Sequence, residues 1–494
     1  MNYISTRGTE KKRVSSAYAI KTGLAEDKGL YMPERIPGLT LSEIDSLIEK
    51  SYPERVAHIL SKFLTDYEYD EILEDAKSAY SDKKFNDFPA KLTDMKDGGF
   101  MLELWHGPTS AFKDMALQIM PKLFVRALRK CDEERTALIL VATSGDTGKA
   151  ALEGYRDVCG TKIQVFYPIN GVSKVQKLQM QTQEGQNVSV IGIEGNFDDA
   201  QSGVKDIFAS TDYARVLNKD GVFLSSANSI NWGRLVPQIV YYVSAYCDML
   251  KSGAINLGEK IDVCVPTGNF GNIFACYIAK MMGLPIQNLI CASNKNDVLT
   301  EFLNTGVYDR NRKFHTTISP SMDILISSNL ERLLFVTLGA DKTAKYMQML
   351  ADCGRYVLEE EDFAKIKSNF YGYSADEDET ARTIKDLYEQ KNCLIDPHTA
   401  VAMSATRQYI KDNKAERRIL TVSTASAYKF AADVYTSLTG CTPSDDLEAL
   451  NMLEALTGEP IPAPLKDISV RKAIHTSVIQ KTDMKDAVSI FAKE

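Results

Sequence analysis

In its 494 residues the chain has no apolar run approaching the ~20 residues of a membrane-spanning helix, and none is expected. Basic residues are not in excess: a formal charge of −8 argues against nucleic acid or an anionic membrane as partner. The nine cysteines are odd in number and never form a CxxC pair. That pattern argues against a disulfide framework and for reduced thiols in a cytoplasmic protein. The five histidines stand far apart, with no HExxH and no Cys/His ligand spacing, so no metal site is expected. The start, "MNYISTRGTEKKRVSS", lacks the apolar core of a signal peptide, which argues against export. Internal repeats and low-complexity tracts are absent. So are GxxxxGK[ST] and a GxGxxG in a suitable βαβ unit, which disfavours a glycine-rich-loop kinase or an NAD enzyme.

What is there is an ordinary globular composition, 44% hydrophobic and 25% charged, in a chain long enough for two or three domains. Residues 1–97 read mainly as helices: "LSEIDSLIEKSY" and "PERVAHILSKFL" carry apolar residues at three-to-four spacing. Beyond residue 98, β-rich segments ("ALILVATSG", "KIQVFYPI", "VSVIGIEG", "VFLSSANS") alternate with helical stretches, as parallel strands with crossover helices do. A second set ("IDVCVPTGN", "NLICASN", "RRILTVST") lies among long helical patterns. The expected architecture is α/β, with two open, mostly parallel units and a cleft between them. The smaller unit spans 98–235, the larger 236–459, and a tail over 460–494 wraps the outside. The acidic run "YSADEDETARTIKDLYEQ" reads as the start of a solvated helix.

Four segments have the setting in which open sheets collect ligands, at a strand end before a helix. In "PTGNFGN", Gly268 and Gly271 loosen the backbone ahead of a helix whose first N–H groups could hold a phosphate; alone, it reads equally as a plain turn. "ATSGDTGKA" offers Ser144, Gly145 and Thr147 to a carboxylate. Asp146 opposes that unless it points away or caps the helix, and on its own the segment reads better as a cap. "VSTASAYKF" offers a hydroxyl from Ser423 or Thr424, or a cap for the helix that follows. "MLELWHGPTSAFKD" runs from a buried strand through a Gly107-Pro108 turn to Lys113. Phe112 and the rigid turn suggest a lysine held in one direction and partly desolvated, conditions that make a neutral nucleophilic amine. A lysine, a phosphate nest, a carboxylate loop and a neutral hydroxyl suit pyridoxal phosphate. A hydroxyl against the pyridine nitrogen favours elimination and replacement over transamination.

These motifs, with "YISTRG", "GLAEDKGLYMPE", "SSANSINWGR", "SPSMDI" and "DPHTAV", occur from end to end in the order of one family. The chain resembles the threonine synthases, fold type II enzymes that use pyridoxal 5′-phosphate. The resemblance implies conversion of O-phospho-L-homoserine and water to L-threonine and phosphate, with Lys113 as the Schiff-base residue. It also implies that Gly268, Asn269, Phe270, Gly271 and Asn272 hold the cofactor phosphate and that Thr424 meets the pyridine nitrogen. Ser144, Gly145, Asp146 and Thr147 go to the substrate carboxylate region, and Arg234, with Asn228, Ser229 and Asn231, to the substrate phosphate. His398 reads as near the site or as a structural histidine. Ser426 and Ala427 stand where many relatives carry histidine and proline, which changes the loop after Thr424. Threonine-synthase-like phospho-lyases share the cofactor and the substrate but release 2-oxobutyrate and ammonia. They are the alternative reading.

Overall fold

The structure is a computed structural model that describes residues 1–8, 12–86, 88–143, 145–170 and 172–494. Two separate sheets organise it. The larger has six strands in the order Phe370–Ser374, Ile286–Ser293, Ile261–Pro266, Ile419–Ser423, Gly99–Glu103 and Lys91–Asp94. All neighbours are parallel except the last pair. The smaller has five parallel strands in the order Val478–Gln480, Val188–Glu194, Thr161–Pro168, Thr136–Ala142 and Val222–Ser225. Central strands are mostly buried, and Ile261–Pro266 is buried at every position, because helices cover both faces of a parallel sheet.

The expected α/β class and paired open sheets are therefore present, but two boundaries move. The 97/98 division falls inside the larger sheet, since Lys91–Asp94 and Gly99–Glu103 pair with each other and Gly99–Glu103 pairs with Ile419–Ser423. The smaller sheet begins at Thr136. The tail does more than wrap: Val478–Gln480 adds an edge strand to the smaller sheet, and the helix Met484–Lys493 buries Met484, Val488 and Phe491 against it.

The helical N-terminal region forms as the periodicity implies. Thr40 and Glu43 make a capping box for Leu41–Leu47, and Tyr52–Phe63 buries one face. It also contains an antiparallel strand pair, Tyr3–Ser5 with Tyr31–Pro33, too short to be read from sequence. One large core cluster joins this region to both sheets. The acidic run begins in the edge strand Phe370–Ser374, after which Asp376 caps the helix Glu377–Lys391. No helix among the described residues is long and apolar enough to cross a membrane.

Candidate active site

The strand Gly99–Glu103 leads into a turn that its own sequence closes. Thr109 donates its backbone N–H and its hydroxyl to the Asp114 carboxylate, both at 2.8 Å. A Cβ on Gly107 would lie 2.6 Å from the same carboxylate, so only glycine fits. Ser110 takes a left-handed conformation, with φ +58°. Burial pushes the Asp114 carboxyl up to about 7. Ala111 then bridges Ala425, with Phe112 N donating to Thr424 O at 2.8 Å and Ser426 N to Ser110 O at 3.1 Å. The turn is thus sewn to the loop that follows Ile419–Ser423, and Lys113 emerges from it buried.

Lys113 Nζ lies 3.1 Å from Asp146 Oδ2 and 3.2 Å from Ser321 Oγ. Asp146 neither points away nor merely begins its helix; it is the electrostatic hub of the site. Lys429 Nζ lies 2.7 Å from the other carboxylate oxygen, and Gln176 Nε2 donates to that oxygen at 2.9 Å. Burial opposes ionisation of Asp146, but the two ammonium groups outweigh it and hold the carboxyl far below its ordinary range. Burial pushes Lys113 down against the pull of Asp146. A carboxylate shared between two cations leaves each with part of its charge. Asp146 is therefore the counter-ion of both lysines. Gly145 and Thr147 flank it, and Gly145 has φ +143° with Gln176 packed where a Cβ would stand. Ser144 lies outside the described residues.

Across from Lys113, the strand Ile261–Pro266 ends in the glycine-rich loop. Phe270 adopts a left-handed conformation (φ +59°) and the helix Gly271–Met282 starts without a side-chain cap. Its first N–H groups therefore have no intrahelical acceptor and no cap. Asn272 is buried, and Tyr241 and Tyr242 donate to its Oδ1 at 2.5 and 2.6 Å, while its Nδ2 has no partner among the described residues. A buried, uncapped helix start with a spare amide fits a phosphate. Gly268 packs against backbone, since its Cβ would sit 2.8 Å from Ser321 O. Ser321 thus touches both the glycine-rich loop and Lys113. Asn269 contributes through its carbonyl, which accepts from Asn329 N and Nδ2.

Of the two hydroxyls after the strand Ile419–Ser423, Ser423 is already engaged, with Trp105 Nε1 and Thr399 Oγ1 each 3.0 Å from its Oγ. Thr424 is buried, and its hydroxyl has no hydrogen bond among the described residues. The cap belongs to Ser426, which accepts from Tyr428 N. His398 is both near the site and structural. Its Nε2 accepts Ser321 N–H at 3.1 Å, which leaves the proton on Nδ1, facing Asp396 Oδ2 at 3.1 Å.

The "SANSINWGR" loop closes the remaining side. Arg234 is buried, donates to Ala227 O at 3.0 Å and reaches Thr147 Oγ1 at 3.4 Å. It has no carboxylate partner among the described residues, and burial lowers it to about 10. Ser229 lies beside Gly271. Asn231 departs from the expectation: it is fully buried, and its side chain is spent on Ile20 O, Ser226 O and Gly233 N. It shapes the loop and has no group left for a ligand. Sequence reasoning missed Ser321, Gln176 and Lys429. The "SPSMDI" motif was a signal for the first; a lysine inside the apolar stretch "AYKFAA" was one for the last. Among the described residues no cluster of His, Cys, Asp and Glu could hold a metal.

Lysine, uncapped helix start and unpaired hydroxyl together fit pyridoxal phosphate. The pyridoxal-phosphate dependent enzyme family matches residues 100–425, and the threonine synthase N terminus family matches residues 2–80. The fold and the site define a fold type II pyridoxal-phosphate-dependent enzyme. The crystal structure of pyridoxal-phosphate-bound threonine synthase from Brucella melitensis superposes with a TM-score of 0.87 at 36% identity, covering 100% of both chains. Threonine synthase of Pseudomonas aeruginosa is 38% identical over 90% of this chain and 92% of its own. Human threonine synthase-like 1 is 39% identical over 88% of this chain. The match spans only 60% of that longer relative. The chain belongs to the threonine synthase family of pyridoxal-phosphate-dependent lyases.

Proposed function

We propose that the chain converts O-phospho-L-homoserine and water to L-threonine and inorganic phosphate. The observation that carries this reading is a second anion-receiving point. Besides the uncapped start of Gly271–Met282, Arg234 is buried beside Thr147 with no acid to neutralise it among the described residues. Lys113 and Lys429 pair with one carboxylate, Asp146, and Arg234 brings a third cation close to Lys113, an arrangement that suits dianionic phosphates. Pyridoxal phosphate, when bound, supplies an electron sink for charge developed at the substrate's Cα.

This chain's own residues do the rest. Lys113 holds the cofactor and carries protons. Gly145 and Thr147 receive the substrate carboxylate, and Ser144 joins them in that role. Arg234, with Asn228 and Ser229 of the same loop, receives the substrate phosphate, and Asn231 and Arg332 hold that loop in place. Arg332 does so by donating to the carbonyls of Ser229 at 3.1 Å and Ile230 at 2.6 Å. Phosphate departs from Cγ, the water oxygen joins Cβ, and protons return at Cγ and Cα. Thr424 meets the pyridine nitrogen as a neutral hydroxyl, and nine unpaired cysteines support a cytoplasmic setting.

A second reading stays in play because similarity to threonine synthase-like 1 (39%) and to a threonine synthase (38%) is nearly equal. The phospho-lyase reading yields 2-oxobutyrate, ammonia and phosphate. Incubation of the cofactor-loaded protein with O-phospho-L-homoserine, with quantification of all products, separates the two. Threonine equal to phosphate supports the synthase, whereas 2-oxobutyrate as the main product defeats it. Lys113→Ala should abolish both turnover and the visible absorption of lysine-linked cofactor; retention of turnover sinks the scheme.

A further inference from the structure

Lys429 is a buried charge at the site that the reaction scheme leaves without a task. Its side chain is fully buried, and it donates to Thr109 O at 2.9 Å and to Asp146 Oδ1 at 2.7 Å. The carboxylate thus has one lysine on each oxygen, and these two lysines differ in kind. Lys113 stands at the end of the turn that reaches the cofactor. Lys429 is anchored by a backbone carbonyl of that same turn and cannot follow.

Resting on the assignment of Lys113 as the cofactor lysine, we propose that Lys429 is a positioning residue, the standing cation that keeps Asp146 ionised and in place once Lys113 is committed. In that commitment the Lys113 ammonium first gives a proton to solvent. Its amine then condenses with the cofactor's aldehyde: nitrogen joins carbon, and the aldehyde oxygen leaves as water with the two amine hydrogens. Asp146 then loses the ammonium on its Oδ2 side. What remains there is the Ser321 hydroxyl at 3.4 Å, with Gln176 on the other oxygen. Two neutral donors are a poor exchange for a cation in a buried site, where an unpaired carboxylate takes up a proton. With Lys429 in place, one full ion pair survives the step. The other charged groups facing this cluster are Arg234 from its loop, Asp114 from the Lys113 turn, and Lys149 and Glu153 from the Asp146 helix. Lys149 and Glu153 pair with each other at 3.3 Å.

The test is a pH titration of the visible spectrum of cofactor-loaded protein, with infrared difference spectra of cofactor addition to apoprotein. Beyond any change from Asp114, which burial lifts to about 7, wild type should show a spectrum constant through the neutral range and no protonated-carboxyl band. Lys429→Met should show a transition with a midpoint within about one unit of pH 7. It should also gain a protonated-carboxyl band that the Asp146→Asn/Lys429→Met double variant lacks. Lys429→Arg, which restores the cation, should return the wild-type spectrum. Constant spectra in a folded Lys429→Met protein overturn the proposal.

If Lys429→Met does not fold, the apoprotein melting temperatures of Asp146→Asn and the double variant decide. The single variant strands Lys429 without its acid and should melt lower; equal melting temperatures overturn the proposal. Failure of the underlying assignment looks different, because wild type would then give no lysine-linked absorption at all.

Discussion

Arg234 has a carbonyl and a hydroxyl for partners and carries a buried charge that no acid balances among the described residues. Arg234→Gln should raise KM for the phosphorylated substrate about tenfold to a hundredfold, the weight of one charged hydrogen bond. The absorption of bound cofactor should be unchanged; steady-state kinetics checks the first and a spectrum the second. Asp114 has the opposite sign of problem. Burial lifts it to about 7 in the folded chain, against roughly 3.9 unfolded, so between those values the folded state binds the extra proton. Its contribution to stability is therefore lost as pH rises through that window. Asp114→Asn should gain on wild type as pH rises from about 4 to 7, by a few kcal/mol at most. Urea titrations at pH 4.5 and 7.5 measure it, and a pH-independent difference would exclude it. At this scale Lys113 was legible because the rigid turn before it is local. The roles of Asn231 and Lys429 were not, because they depend on partners far away in sequence, Ile20 and Asp146.

The helix Asp146–Tyr155 and the short helix Asp114–Leu117 bring Asp146 to Lys113, and Gly154 lets them approach. A Cβ there would lie 2.0 Å from Leu117 O, a backbone atom that cannot swing aside. Gly154→Ala should destabilise the protein by about 1–3 kcal/mol, the usual cost of overpacking, and weaken cofactor capture as the helices separate. Chemical unfolding and a cofactor titration together check this; unchanged affinity would mean that the spacing does not matter. Central strands were legible because burial on both faces makes continuous apolar runs such as "ALILVA" within Thr136–Ala142. The two edge strands of the larger sheet were not. Lys91–Asp94 is half exposed, and Phe370–Ser374 runs directly into an acidic helix start.

The last residues tie the molecule together. Leu465 and Ile468 are buried with the helices that follow the active-site loop, while Val478–Gln480 and the helix Met484–Lys493 complete the smaller unit. Removing residues 478–494 should expose Ile191, Ile193, Val204 and Ile207, lower the melting temperature and increase binding of an apolar dye. Thermal scans with the dye present measure both effects, and an unchanged melting temperature would show the tail to be passive. The sequence by itself determined the alternation of strand and helix, the lysine turn, the glycine-rich loop and the cofactor they suit. Those features depend on residues adjacent in the chain, where backbone freedom, capping and periodicity act. Only the tertiary structure decided that Lys91–Glu103 belongs to the larger sheet and that the tail supplies a strand. It alone made Asp146 the counter-ion of two lysines 33 and 283 positions away. Strand order and the pairing of buried charges are settled by which surfaces exclude water together, and that depends on the whole chain at once.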